Sequence, residues 1–148
     1  MPSDTDALAD LSARELVVRM AGGELTSRGL VEMYLARIET IDRTGPALRS
    51  VIEVNPDALT MAGGLDVERA QGRTRGPLHG LPVLIKDNID SGDRMLTTAG
   101  SLALMAAPAD KDAACVERLR AAGAVLLGKT NLSCLLYTSD AADDLTRV

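Results

Sequence analysis

The chain has 148 residues, one domain's worth of polypeptide, and 46% of them are hydrophobic. Phe and Trp are absent and Tyr34 and Tyr137 are the only aromatics, so any core must be built from Leu, Val, Ile, Met and Ala. A formal net charge of −5 argues against nucleic acid as a partner, and no apolar run approaches the roughly 20 residues that span a membrane.

The start, MPSDTDALAD, is acidic and lacks the basic and apolar regions of a signal peptide. Cys115 and Cys134 show no metal-ligand spacing and read as free thiols in a reducing, cytoplasmic compartment. The first predicted helix opens at Ser12-Ala13-Arg14-Glu15, a capping box in which hydroxyl and carboxylate each take a backbone amide. Leu11 and Leu16 flank it as a hydrophobic staple, Leu16, Val17 and Met20 share one face, and Gly22-Gly23 ends it. A second helix starts near Thr26 or Ser27, with Leu30, Val31, Tyr34, Leu35, Ile38 and Ile41 at the 3.6-residue period. This pair reads as packing, without chemistry.

Gly45-Pro46 breaks the chain, and Leu48 to Val54 suits a strand. Asn55-Pro56 predicts a helix start, with Asn as cap and Pro at the first helical position, running to about Gln71. Gly63-Gly64 weakens that helix by about 1 kcal/mol per glycine relative to alanine. Gly72 to Pro77 is a polar, basic turn.

The stretch around which the rest is organised is Gly76 to Asp90, GPLHGLPVLIKDNID. Val83 to Ile85 predicts a strand buried on both faces. A lysine directly at its end is unusual, because a buried ammonium loses its hydration. Either Lys86 reaches out to water or it is held inside for chemistry. His79, the only histidine, has no serine or cysteine pattern nearby and reads as a turn residue.

Leu96 to Ser101, LTTAGS, places small hydroxyl residues beside glycine. That suits either a backbone passing close to another group or an ordinary turn with a helix cap. Asp112 is a candidate cap for a helix through Ala122, with Val116 and Leu119 inward and Gly123 as the stop. Ala124 to Leu127 reads as a second buried strand, and helices alternating with short apolar strands argue for an α/β layer fold. Gly123 to Thr130 matches the phosphate-loop pattern GxxxxGK[ST] letter for letter. A helix precedes its first glycine, however, and the residues between the glycines are the strand itself. Their amides belong to a sheet ladder, which leaves none to cradle phosphate. No paired-carboxylate spacing rises above chance.

Three blocks, GPLHGLPVLIKDNID, TTAGSLAL and VERLRAAGAVLLGKTNLS, with the spacing between them, resemble the amidase signature family over about residues 11–133. Within it the chain looks closest to bacterial amidases and peptide amidases, and less like the transamidosome glutaminyl subunit. The resemblance implies an α/β fold with helices on a mixed central sheet. It also implies hydrolysis of linear carboxamides, small-molecule or peptide, to acid and ammonia or amine, with no cofactor and no metal. The family uses a serine nucleophile, a second serine beside a cis peptide bond, and a lysine, which matches Lys86. A lysine taken out of water favours its neutral form, so such a residue can serve as a base. Asp87 and Asn88 are expected to brace the strand end.

Both serines of that triad should lie some tens of residues beyond NLS. Ser139 has no glycine-rich setting and makes a poor nucleophile. Residues 1–133 therefore read as the N-terminal portion of one amidase domain. Residues 134–148 depart from the family pattern, as a truncation or sequencing artefact would. The chain alone is expected to be inactive. The alternatives are a catalytically incomplete fragment, a non-enzymatic binding or scaffold protein, and a nucleotide binder through Gly123 to Thr130. The sequence leaves the amide substrate and the oligomeric state open.

Overall fold

The computed structural model describes residue 8 and residues 10–132. Helix α1 (Ala13–Ala21) begins at Ser12, whose hydroxyl accepts from the Glu15 amide at 3.3 Å while the Glu15 carboxylate takes the Ser12 amide at 2.8 Å. The expected capping box is thus formed. Helix α2 (Ser27–Arg37) is capped by Thr26 and runs on through a π-helical segment, Ile38–Thr44. Asp42 at its end is buried and accepts from the Ser50 amide at 2.8 Å and the Val51 amide at 3.1 Å. These bonds fix where strand β1 (Val51–Val54) starts, three residues later than the sequence pattern places it.

Helix α3 (Ala58–Ala70) also starts later than expected. Asn55 does not cap it. The residue is buried and turned to the sheet, its side-chain amide donating to the Leu126 carbonyl at 2.8 Å and its backbone amide to Leu127 at 2.9 Å. Its side-chain oxygen still accepts from Asp57, so one side chain joins the turn to the central strand. Strand β2 (Pro82–Lys86) leads through a long loop and a 3₁₀ turn (Leu102–Leu104) to helix α4 (Ala114–Ala121) and strand β3 (Val125–Thr130). Asp112 caps no helix: it accepts from Gly92 at 2.7 Å and from Arg120 at 2.8 Å, tying the loop to α4.

The sheet order is β1-β3-β2, with β1 antiparallel and β2 parallel to β3. This is the mixed α/β arrangement expected. Helices α2 and α3 cover one face through Val31, Ala62 and Leu65, which meet Val51, Val125 and Leu127. Leu126, Ile85, Val116 and Met95 form the core on the other face, under α4 and the loop. Only β3 is buried on both faces. β2 lies at an edge of the described sheet and leaves Leu84 37% exposed, so it is not the doubly buried strand predicted. Among the described residues, no helix is long and apolar enough to cross a membrane.

Removing the α1 cap tests how far local chemistry positions that helix, which packs through Leu16 and Met20. Ser12→Ala should lower stability by about 1 kcal/mol. An unchanged denaturation midpoint would assign the helix start to packing alone.

Candidate active site at the end of strand β2

Lys86 is the last residue of β2 and is half-buried. Its register partner is Thr130, and Ile85 pairs with Lys129 one step earlier. Successive residues alternate across a strand, so Lys86 and Thr130 share one face while Ile85 and Lys129 share the other. The chain turns at once after Lys86: Ile89 donates its amide back to the Lys86 carbonyl at 3.0 Å, and Asp87 donates its amide to Thr130 at 3.0 Å. Among the described residues no hydrogen bond or ion pair holds the Lys86 ammonium.

Asp87 is 1% exposed and turned inward. Its carboxylate accepts from the Thr98 hydroxyl and, at 3.3 Å, from the Thr98 amide, while its carbonyl accepts from Ala99 at 3.2 Å. A carboxylate accepting two bonds from one threonine is a fixed brace. It carries the TTAGS segment back against the strand end, where Ala99 (φ 48°) and Gly100 (φ 74°) turn through the left-handed region. Other ties hold the intervening loop. Glu53 accepts from Leu96 at 2.9 Å, and Arg120 pairs with Asp93 at 2.6 Å.

His79 is buried, as a structural turn residue would be. Its Nδ1 accepts from the Arg75 amide at 3.1 Å, so Nε2 carries the proton and donates to the Leu65 carbonyl at 3.0 Å. The phosphate-loop lookalike is strand, as its context argued: residues 125–130 form β3 and pair with both neighbours. Cys115 is an exposed free thiol, and Cys134 and Ser139 lie outside the described residues. Among the described residues, no group of three or more His, Cys, Asp or Glu is placed to hold a metal ion. A cleft of about 430 Å³ between Asp42, Arg43, Arg49 and Asn131 lies on the β1 side of the sheet, across β3 from Lys86. It holds none of the candidate chemistry.

Sequence reasoning missed Lys129. It is fully buried, with its ammonium donating to the Ile89 carbonyl at 2.6 Å and the Thr97 hydroxyl at 3.0 Å. Burial pushes its pKa down, while Asp93, Asp87, Asp90 and Glu53 oppose that shift. The available signal was a lysine inside the continuous apolar run from Ala124, where a charge needs a reason.

The α/β layer thus places a lysine at a parallel strand end, beside a buried aspartate braced to a threonine-glycine turn. The amidase family model matches residues 29–146, and the chain belongs to the amidase family. Its fold matches the native peptide amidase of Stenotrophomonas maltophilia with a TM-score of 0.81 and 57% identity, over 84% of this chain and 25% of that one. An amidase family protein of Bacillus anthracis gives a TM-score of 0.81 at 37% identity, over 87% of this chain and 25% of that one. One component of the glutamyl-tRNA(Gln) amidotransferase of Chloroflexus aurantiacus is 45% identical over 76% of this chain and 22% of that protein. The chain spans a quarter or less of the curated relatives it matches.

Proposed function

We propose that this segment supplies the lysine base of an amide hydrolase acting on linear carboxamides, with Lys86 in that role. The supporting observation is the position of Lys86: it ends a strand in a chain 57% identical to a peptide amidase of the same fold. In this reading a serine outside the described residues attacks the amide carbon. Its proton passes through a bridging serine to the Lys86 Nζ. The tetrahedral adduct then collapses, the C–N bond breaks, and the same proton returns along the relay to the departing nitrogen. Water hydrolyses the acyl-serine by the same relay, giving acid and free enzyme. Serine–lysine relays are recognised by these roles and not by order in the chain. Asp87 orients the strand end and takes no part in bond making.

The test has two arms. The 148-residue chain, purified alone, should not hydrolyse simple amides. A chimera carrying residues 29–132 of this chain in place of the matching segment of the Stenotrophomonas peptide amidase should hydrolyse peptide amides. A folded chimera with no activity would overturn the assignment. Hydrolysis by the isolated chain that Lys86→Ala removes would instead mean that the segment holds its own nucleophile.

A further inference from the structure

We propose that Lys129 is a positioning residue for Lys86: its ammonium clasps the first part of the loop after β2, at Ile89 and Thr97, onto β3 and so sets the strand end from which Lys86 projects. The inference rests on the reading of Lys86 as the working lysine. It begins from an oddity of composition. The chain has three lysines, Lys86, Lys111 and Lys129, and the one that is fully buried is not the one at the candidate site.

A buried ammonium is an expensive way to fill a core, since an apolar side chain of similar length would avoid the loss of hydration. What the charge adds is direction. One Lys129 bond reaches Ile89, three residues after Lys86, and the other reaches Thr97, eleven residues after it. The outgoing and returning limbs of the loop are therefore held by one group. Asp87 makes the second clasp, with its amide on Thr130 and its carboxylate on Thr98. The Lys129 clasp joins the loop to the residue opposite Ile85, and the Asp87 clasp joins it to the residue after Lys86; an apolar side chain at position 129 could form neither Lys129 bond. Asp93, Asp87, Asp90 and Glu53 lie close enough to oppose the lowering of the Lys129 pKa that burial causes. Asp87 is braced to Thr98, Asp93 to Arg120, and Glu53 to Leu96.

The GKT triplet thus carries three structural duties. Gly128 lets β1 approach, Lys129 ties the loop, and Thr130 stands opposite Lys86. None of these duties needs a phosphate. A positioning role differs from general support of the fold because it acts on one side chain and one loop.

The test uses the whole 148-residue chain and two measurements. Trace acylation with acetic anhydride at a fixed pH gives a relative rate for each lysine, with exposed Lys111 as the internal reference. Amide exchange reports the loop at Ile89 and Ala99, and the sheet at Val125, whose amide donates to Leu81 at 2.8 Å. Lys129→Met should alter the rate at Lys86 relative to Lys111. The same change should speed exchange at Ile89 and Ala99 by about tenfold or more while Val125 stays protected. Thr97→Val, which removes one acceptor and keeps the volume, should produce the same changes in smaller measure and decides the matter if Lys129→Met does not fold. A relative rate at Lys86 unchanged by the substitutions overturns the proposal. So does a rise in exchange at loop and sheet together. Survival of chimera activity after Lys86→Ala would remove the catalytic reading instead, and the loop measurements would stand apart from it.

Discussion

Replacing Lys86 by alanine is expected to lower kcat/KM of the active chimera by on the order of 10³-fold or more, with little change in stability. The size follows from what the residue does. General acid–base transfer alone contributes about 10²–10⁴-fold. Here one amine would act twice, taking the nucleophile's proton and returning it to the leaving nitrogen, so both halves of the reaction lose their relay. The loss should fall on kcat, since an interaction made only in the transition state leaves ground-state binding in place. Stability should hardly move, because Lys86 is half-buried and, among the described residues, no hydrogen bond or ion pair to its ammonium would be broken. Steady-state kinetics beside a thermal melt separates the two effects. A variant that keeps most of its kcat would remove Lys86 from the mechanism.

Gly128→Ala should be a strongly damaging small substitution to the fold. Gly128 lies in the central strand, paired with Val54 on one side and Leu84 on the other. A methyl group built there would sit 2.3 Å from the Glu53 carbonyl oxygen, 3.2 Å from the Val54 Cα and 3.3 Å from Leu84. The first of these is backbone and cannot rotate away, so β1 and β3 must part. Overpacking of this kind costs about 1–3 kcal/mol. Against a total of roughly 5–15 kcal/mol that is a large share. It corresponds to a fall in Tm of very roughly 3–10 °C for a chain of this size. Gly63→Ala is the matched control. It lies inside α3 with nothing within 4 Å of the added carbon, and it should be neutral or stabilising. Equal melting temperatures for the two variants would show that the sheet can relax at no cost.

The local signals in the sequence translated directly into structure. Ser12 and Glu15 cap α1 because the whole device lies within four residues. The apolar period of α2, the glycine stop after α4 and the strand ahead of Lys86 follow for the same reason. Where the reading missed, a distant partner had displaced a local one. Asn55 and Asp112 are good caps by composition, yet Leu126 lies 71 residues away from the first and Gly92 20 residues from the second, and those partners hold them. Leu84 looked buried because its neighbours are apolar, and only the strand order places β2 at an edge. At the candidate site, Lys86 was legible from its place after an apolar run. Lys129 was not, because its two acceptors come from a loop that no periodicity describes. Its triplet also spelled a motif belonging to another fold.

Lys86 is mounted on the frame of the sheet, while the Leu102–Leu104 turn and Met105 stand out from the loop beyond it. That division separates what can drift from what cannot. Changes along the exposed turn could reshape whatever surface it meets without shifting the strand, its register with Thr130 or the ties through Asp87 and Lys129. Descendants of such a segment can therefore diversify in what they recognise while inheriting the placement of a single amine unchanged.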